Sequence, residues 1–269
     1  MLKQRIITAL VLLPLVLGAI FYLPTQWFAL AMMLPVAVAA WEWANIMGIT
    51  SQARRCSYAA LVVVGMLLEY WLQTDWVLGL AVIWWAVAVS LVRAYPNNVS
   101  RWASPYIQGG IGLLLLLPAW QGLVVLHRQD GGPWWMLYAF VLVWGADTGA
   151  YFAGRAFGKR KLAPNVSPGK TIEGLLGGLA LTLVIALLVA TQTDALKNLG
   201  LGWFLLVSLV AVVGSVFGDL AESMFKRHRG IKDSSQVLPG HGGVLDRIDS
   251  ITAAVPLFAA GMLVLGVFH

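Results

Sequence analysis

The sequence predicts an all-α, polytopic integral membrane protein with about nine transmembrane helices. Three observations carry that prediction. The 269 residues are 59% hydrophobic and only 11% charged, with a mean hydropathy of +0.79. The apolar runs are too long and too frequent for the core of a soluble domain. The few basic residues gather in alternate connections between those runs, as the positive-inside rule requires.

The apolar runs lie at about 5–23, 26–47, 57–73, 76–93, 109–127, 134–154, 173–191, 202–224 and 249–268. Those at 57–73 and 109–127 are short or interrupted by Gly and Pro, so eight spans is the alternative count. With nine spans and the N-terminus inside, 16 of the 18 Lys and Arg residues fall in inner connections, and only Arg128 and Lys197 fall outside. His269 then lies outside. The first run has no small-x-small cleavage site before Pro24 and reads as a span, not a removed signal. Trp27, Trp71, Trp76, Trp102, Trp134 and Trp135 stand near span ends, where interfacial anchors are expected. The single cysteine, Cys56, excludes an internal disulfide and a cysteine-based zinc site. A net charge of +6 admits two partners, nucleic acid and a membrane surface. The basic residues sit in short loops between spans, so the bilayer is the partner and nucleic acid is not. Asn97 to Pro105 is the best soft boundary, dividing an N-terminal transmembrane part (1–105) from a C-terminal transmembrane part (106–269) that carries the chemistry. In the first part Glu42, between Trp41 and Trp43, is read as structural: it caps, snorkels or pairs with Arg54 or Arg55.

The chemistry concentrates at 215–250. Asp219, Glu222, Ser223 and Lys226 fall three, four and seven apart and share one helical stripe. Carboxylates in a membrane helix are expensive and face a protein interior or a wet cavity; the plainer reading is an i,i+4 Glu222–Lys226 pair at the surface. The run Leu238-Pro-Gly-His-Gly-Gly243 cannot be regular helix, and its glycines let backbone N–H groups approach an anion. Asp246 and Asp249 follow on the first turn of the last span. Two helix ends thus aim carboxylates (Asp219, Asp246, Asp249) and cations (Lys226, Arg227, Arg247) at one point. Hard oxygen donors beside Lys and Arg suit Mg²⁺-dependent phosphate chemistry.

A second cluster ends the sixth span. Asp147 lies within it, and Asp147, Tyr151 and Arg155 share a face at i, i+4 and i+8. A basic, Gly/Pro-rich loop follows, and Ser167 or Thr171 N-caps the seventh span, whose N-terminus offers N–H groups to a phosphate. Gly169-Lys170-Thr171 is not a P-loop: Pro164 stands where the first glycine is required, and no strand is expected before it.

These residues resemble one family. Ser223-x-x-Lys226-Arg227, Lys232-Asp233, His241-Gly-Gly243 and Asp246-Arg247-x-Asp249 look like the 27-residue signature of the phosphatidate cytidylyltransferases. Asp147-Thr-Gly-Ala-Tyr-Phe-x-Gly154-Arg155 and Ser167-Pro168-x-Lys170-Thr171-x-Glu173-Gly174 are similar to that family's middle cytoplasmic segment, with Gly169 where a second Lys often stands. The resemblance covers about 140–269 and implies cytoplasmic catalytic loops and the reaction CTP + phosphatidate → CDP-diacylglycerol + pyrophosphate. Role expectations follow. Asp219, Asp246 and Asp249 bind Mg²⁺, with a second cation admitted. Lys226, Arg227 and Arg247 hold the triphosphate or leaving pyrophosphate, and Ser223 supports phosphate or metal. Arg155, Lys170 and Thr171 grip the other phosphate group. His241 orients the loop or touches phosphate, and Asp147 shapes the pocket. A homodimer through the outer faces of the first four spans is expected. A CTP-dependent polyprenol kinase and a transporter are the rival readings.

Overall fold

The computed structural model describes residues 2–192 and 200–268; Lys197 and His269, both placed outside by the sequence reading, lie beyond them. Among the described residues there are nine α-helices: α1 Leu2–Tyr22, α2 Thr25–Ile46, α3 Gln52–Leu72, α4 Trp76–Ala94, α5 Pro105–Arg128, α6 Gly132–Phe157, α7 Ile172–Ala190, α8 Leu201–Arg229 and α9 Leu245–Val264. Eight of them, α2 to α9, are long and apolar enough to cross a membrane, and α1 adds an apolar stretch at Leu10–Tyr22. The all-α membrane architecture therefore holds. One core cluster takes residues from both sides of position 105, from Ala29 and Trp43 to Phe225 and Leu257.

Small residues set the two interfaces that matter for the site. A Cβ on Gly149 would lie 2.6 Å from the Gly177 carbonyl oxygen, and one on Gly178 would lie 2.7 Å from the Ala146 oxygen. Helices α6 and α7 therefore touch backbone to backbone, the small-xxx-small packing of membrane helices. Between α8 and α9, a Cβ on Gly218 would meet the Asp249 carbonyl oxygen at 2.5 Å. Only glycine lets α8 pass the first turn of α9 this closely, and its neighbour is Asp219.

Between α6 and α7 the structure departs from the expected loop. Strand β1 (Lys161–Ala163) pairs antiparallel with β2 (Ser167–Thr171), Lys161 opposite Thr171 and Ala163 opposite Ser167. A strand does precede Lys170, contrary to expectation. The P-loop remains excluded, because Pro164 occupies the glycine position and the strand belongs to a hairpin. Glu173 fastens the chain entering the hairpin: its carboxylate accepts from Lys159 N–H (3.0 Å), Arg160 N–H (3.1 Å) and Arg160 Nε (3.0 Å).

Trp102 also corrects the sequence reading. It is no interfacial anchor but is 1% exposed, its ring 4.8 Å from Phe225 and 4.9 Å from His228. Trp43 also packs edge-on against Phe225 at 5.0 Å and donates to the Gln108 carbonyl at 2.8 Å. This aromatic clamp holds the charged end of α8. The helix then stops at Gly230, whose φ of +75° suits glycine and lets Ile231 N–H close on the Lys226 carbonyl.

Candidate active site

Helices α6, α8 and α9 wall a polar cavity of about 500 Å³. It is lined by Asp147, Asp219, Lys226, Asp246, Arg247 and Asp249, with Asp233 from the connecting loop. The signature cluster and the middle cluster thus meet at Asp147. A second cavity of about 390 Å³ shares Asp147 and adds Tyr151, Arg155, Lys170 and Thr171. Lys170 joins the two: its ammonium lies 2.8 Å from Asp219 Oδ2. Thr171, not Ser167, is the cap of α7, its Oγ1 accepting from Gly174 N–H at 3.0 Å. Arg155 donates to Tyr151 Oη at 3.2 Å, one turn away on the same face.

The carboxylates differ in what holds them. Asp219 pairs with Lys170 and accepts from Ser223 Oγ at 3.2 Å. Asp246 is tied by its own loop: Oδ2 accepts from Ser234 N–H (2.9 Å), Ser234 Oγ (3.0 Å) and Gly243 N–H (2.8 Å). Its Oδ1 takes the Lys226 ammonium at 2.5 Å. Lys226 also lies 3.1 Å from Glu222 Oε2, so the i,i+4 pair exists but is buried, Lys226 being 8% and Glu222 4% exposed. Glu222 Oε1 is buried with no hydrogen-bond partner. Asp249 Oδ1 accepts from the next residue's N–H, at 2.7 Å.

Two expected site residues sit elsewhere, and a third reaches the site only through a neighbour. Arg227 reaches the Val166 carbonyl at 3.5 Å, toward the hairpin turn. His241 lies in the turn closed by Leu238 N–H to Gly242 O at 2.9 Å, and its Nδ1 is buried without a partner. Ser223 acts on Asp219 and is not among the residues lining either cavity.

The sequence reading takes Glu42 as structural, by capping, snorkelling or pairing with Arg54 or Arg55, and the structure selects the cap. Glu42 is fully buried and does not pair with Arg54 or Arg55. Arg55 instead stacks over the Trp41 ring at 3.5 Å. The Glu42 carboxylate accepts from Val244 N–H (2.9 Å), Leu245 N–H (2.6 Å), Ser234 Oγ (3.2 Å) and Ser235 Oγ (2.5 Å). It caps the N-terminus of α9 from a helix some 200 residues earlier, satisfying orphan donors and placing a negative charge at the positive end of the helix dipole. Gly243 is required beside it, since a Cβ there would fall 2.0 Å from Ser234 Oγ and 2.6 Å from Glu42 Oε1. The signal was present in the sequence: a carboxylate inside an apolar helix marks function, the rule that singled out Asp147.

As they stand, no three His, Cys, Asp or Glu side chains among the described residues are grouped to hold a metal ion alone. Asp147, Asp219, Asp246 and Asp249 nonetheless share one cavity, with ammonium groups on Asp219 and Asp246 where a cation would sit. Mg²⁺ takes one or two carboxylates and completes its shell with water and substrate phosphate. This donor set fits an ion that arrives with its anion.

Comparison with known proteins agrees with the geometry. A model described as the Cytidylyltransferase family matches residues 3–265. A phosphatidate cytidylyltransferase of Pseudomonas aeruginosa is 53% identical over 97% of this chain and 96% of its own. The Haemophilus influenzae protein of that name is 41% identical over 96% and 98%. That of Staphylococcus haemolyticus is 49% identical over 48% of this chain and 49% of its own.

Proposed function

We infer the reaction from one premise: the chain belongs to the cytidylyltransferase family, and is a membrane-embedded nucleotidyltransferase. It transfers CMP from CTP to phosphatidate, giving CDP-diacylglycerol and pyrophosphate, at the cytoplasmic face of the membrane. The observation that supports this most is the joining of two cation-bearing cavities at Asp147 and the Lys170–Asp219 pair. Two polyanions must be brought together, and each cavity has its own cations.

A lipid phosphate oxygen bonds to the α-phosphorus of CTP as the bond to the bridging oxygen of the β-phosphate breaks and pyrophosphate leaves. The attacking phosphate is already ionised at neutral pH, so no general base is needed and His241 serves the loop. The barrier is charge repulsion, which positioned cations lower. Arg155, Lys170, Thr171 and the N-terminus of α7 receive one phosphate group; Lys226 and Arg247 receive the other. Lys170 and Lys226 turn from Asp219 and Asp246 to phosphate as substrates enter. Asp219, Asp246 and Asp249 are the oxygens that would hold Mg²⁺, which supplies Lewis-acid charge neutralisation. Asp246 also keeps the loop in register through Ser234 and Gly243.

The test is pyrophosphate release from CTP and phosphatidate by the detergent-solubilised protein. Stoichiometric pyrophosphate and CDP-diacylglycerol are expected, both abolished by chelation of Mg²⁺. CDP as the nucleotide product would mean a kinase instead. No turnover of CTP at all would mean that neither enzyme reading holds.

A further inference from the structure

An apolar cavity of about 410 Å³ lies between α1, α2, α5, α6 and α9, with walls that include Val16, Met32 and Val36. Its one charged wall is Arg247. Trp144, Arg247 and Ile251 line both this cavity and the aspartate cavity, so an apolar chamber and a polar one share a partition. Arg247 stands on that partition, exposed and with no side-chain ion pair among the described residues. On its far side the apolar chamber is walled by α1, where Leu12, Leu13 and Val16 are also open to the surroundings. A molecule with a phosphate head and a long hydrocarbon tail would suit both chambers, the head against Arg247 and the tail against the apolar walls.

We propose that this apolar cavity holds one acyl chain of the lipid substrate, with Arg247 at its mouth taking the lipid phosphate. The proposal rests on the cytidylyltransferase reading and adds to it which cavity the lipid occupies: the phosphate enters the Asp219–Asp249 chamber, leaving the Arg155–Lys170–Thr171 chamber to the nucleotide. A chain leaving the bilayer gains little free energy here, because lipid is as apolar as Leu. The cavity therefore serves orientation: it fixes the phosphate relative to its target, and misplacement by about 1 Å can cost 100-fold in rate.

Two measurements test it. The first uses the unaltered protein with a phosphatidate carrying a photoactivatable diazirine midway along one chain. Crosslinks are expected on α1 and α2 at Val16, Met32 or Val36, suppressed by excess unlabelled phosphatidate. Crosslinks confined to outward residues of α3 and α4, such as Leu61, Val64 and Ile83, would overturn the proposal. The second compares dioleoyl with dihexanoyl phosphatidate in Val16→Trp and Val36→Phe. We expect kcat/KM to fall about tenfold for the long chain and to hold for the short one, whose turnover also reports an intact fold. Equal effects on both lipids, or none on either, would count against the cavity. If the unaltered protein turns over neither lipid, the cytidylyltransferase reading itself fails, while the crosslinks still report what the cavity holds.

Discussion

Two carboxylates in this protein pin a loop to the start of a helix, and they do so under opposite conditions. Glu173 holds the 159–160 backbone to α7, 13 to 14 residues away, with Arg160 68% exposed at its side. Glu42 holds the 234–245 loop to α9, 192 to 203 residues away, with no exposure at all. Both accept backbone N–H groups, yet only the second is shielded from water. An exposed pin is replaced by solvent when cut; a buried one leaves orphaned donors, each costing about 1–3 kcal/mol. The Lys170 side of the site should tolerate the loss of its pin, and the Asp246 side should not.

The sharpest way to break this contrast is Glu42→Ala. We expect about 3 kcal/mol or more of lost stability, a fall of roughly 6–12 °C in Tm in detergent, and loss of pyrophosphate release. An unchanged melt would show that water reaches the α9 cap and that the two pins are alike. Next comes Asp219→Asn, which should leave the melt near that of the unaltered protein while lowering turnover about 100-fold or more. Full Mg²⁺-dependent turnover in that variant would remove Asp219 from the ion. Gly218→Ala should cost about 1–3 kcal/mol through overpacking on the Asp249 carbonyl and reduce turnover by pushing Asp219 from Asp249; a melt and an assay on the same sample read both. Lys170→Ala breaks a partly exposed pair, so stability should change by about 1 kcal/mol or less, while turnover falls with the lost phosphate contact. If stability falls more than turnover, Lys170 is a strut and not a phosphate ligand. Smallest is Glu173→Gln: Tm should hold, and only amide exchange at Lys159 and Arg160 should quicken.

These cases also mark how far the residues could be read in advance. The stripe Asp219–Ser223 and the turn Asp246–Asp249 follow from helical spacing, and so does the Tyr151–Arg155 contact. The Thr171 cap is likewise local, three residues from the N–H it accepts. What helical spacing does not contain is which helix lies beside which. Nothing in the periodicity of α2 says that Glu42 lies under the loop 234–245. Nothing in the α6–α7 connection says that Lys170 will reach Asp219 on α8. The hairpin was hidden for a related reason: strands of three and five residues are too short to declare a period, and Glu173 that fastens them looks like any first-turn acid.

By itself the amino-acid sequence determined the membrane-spanning helices and the family to which the 223–249 motif points. Those are properties of composition and of separations of a few residues, where backbone geometry alone sets what faces what. The tertiary structure decided that Glu42 caps α9, that Gly218 brings Asp219 to Asp249, and that an apolar chamber abuts the aspartates. Each depends on two helices approaching to within a side chain's length. That distance is set by packing small residues against distant backbone, a condition no single stretch of chain specifies.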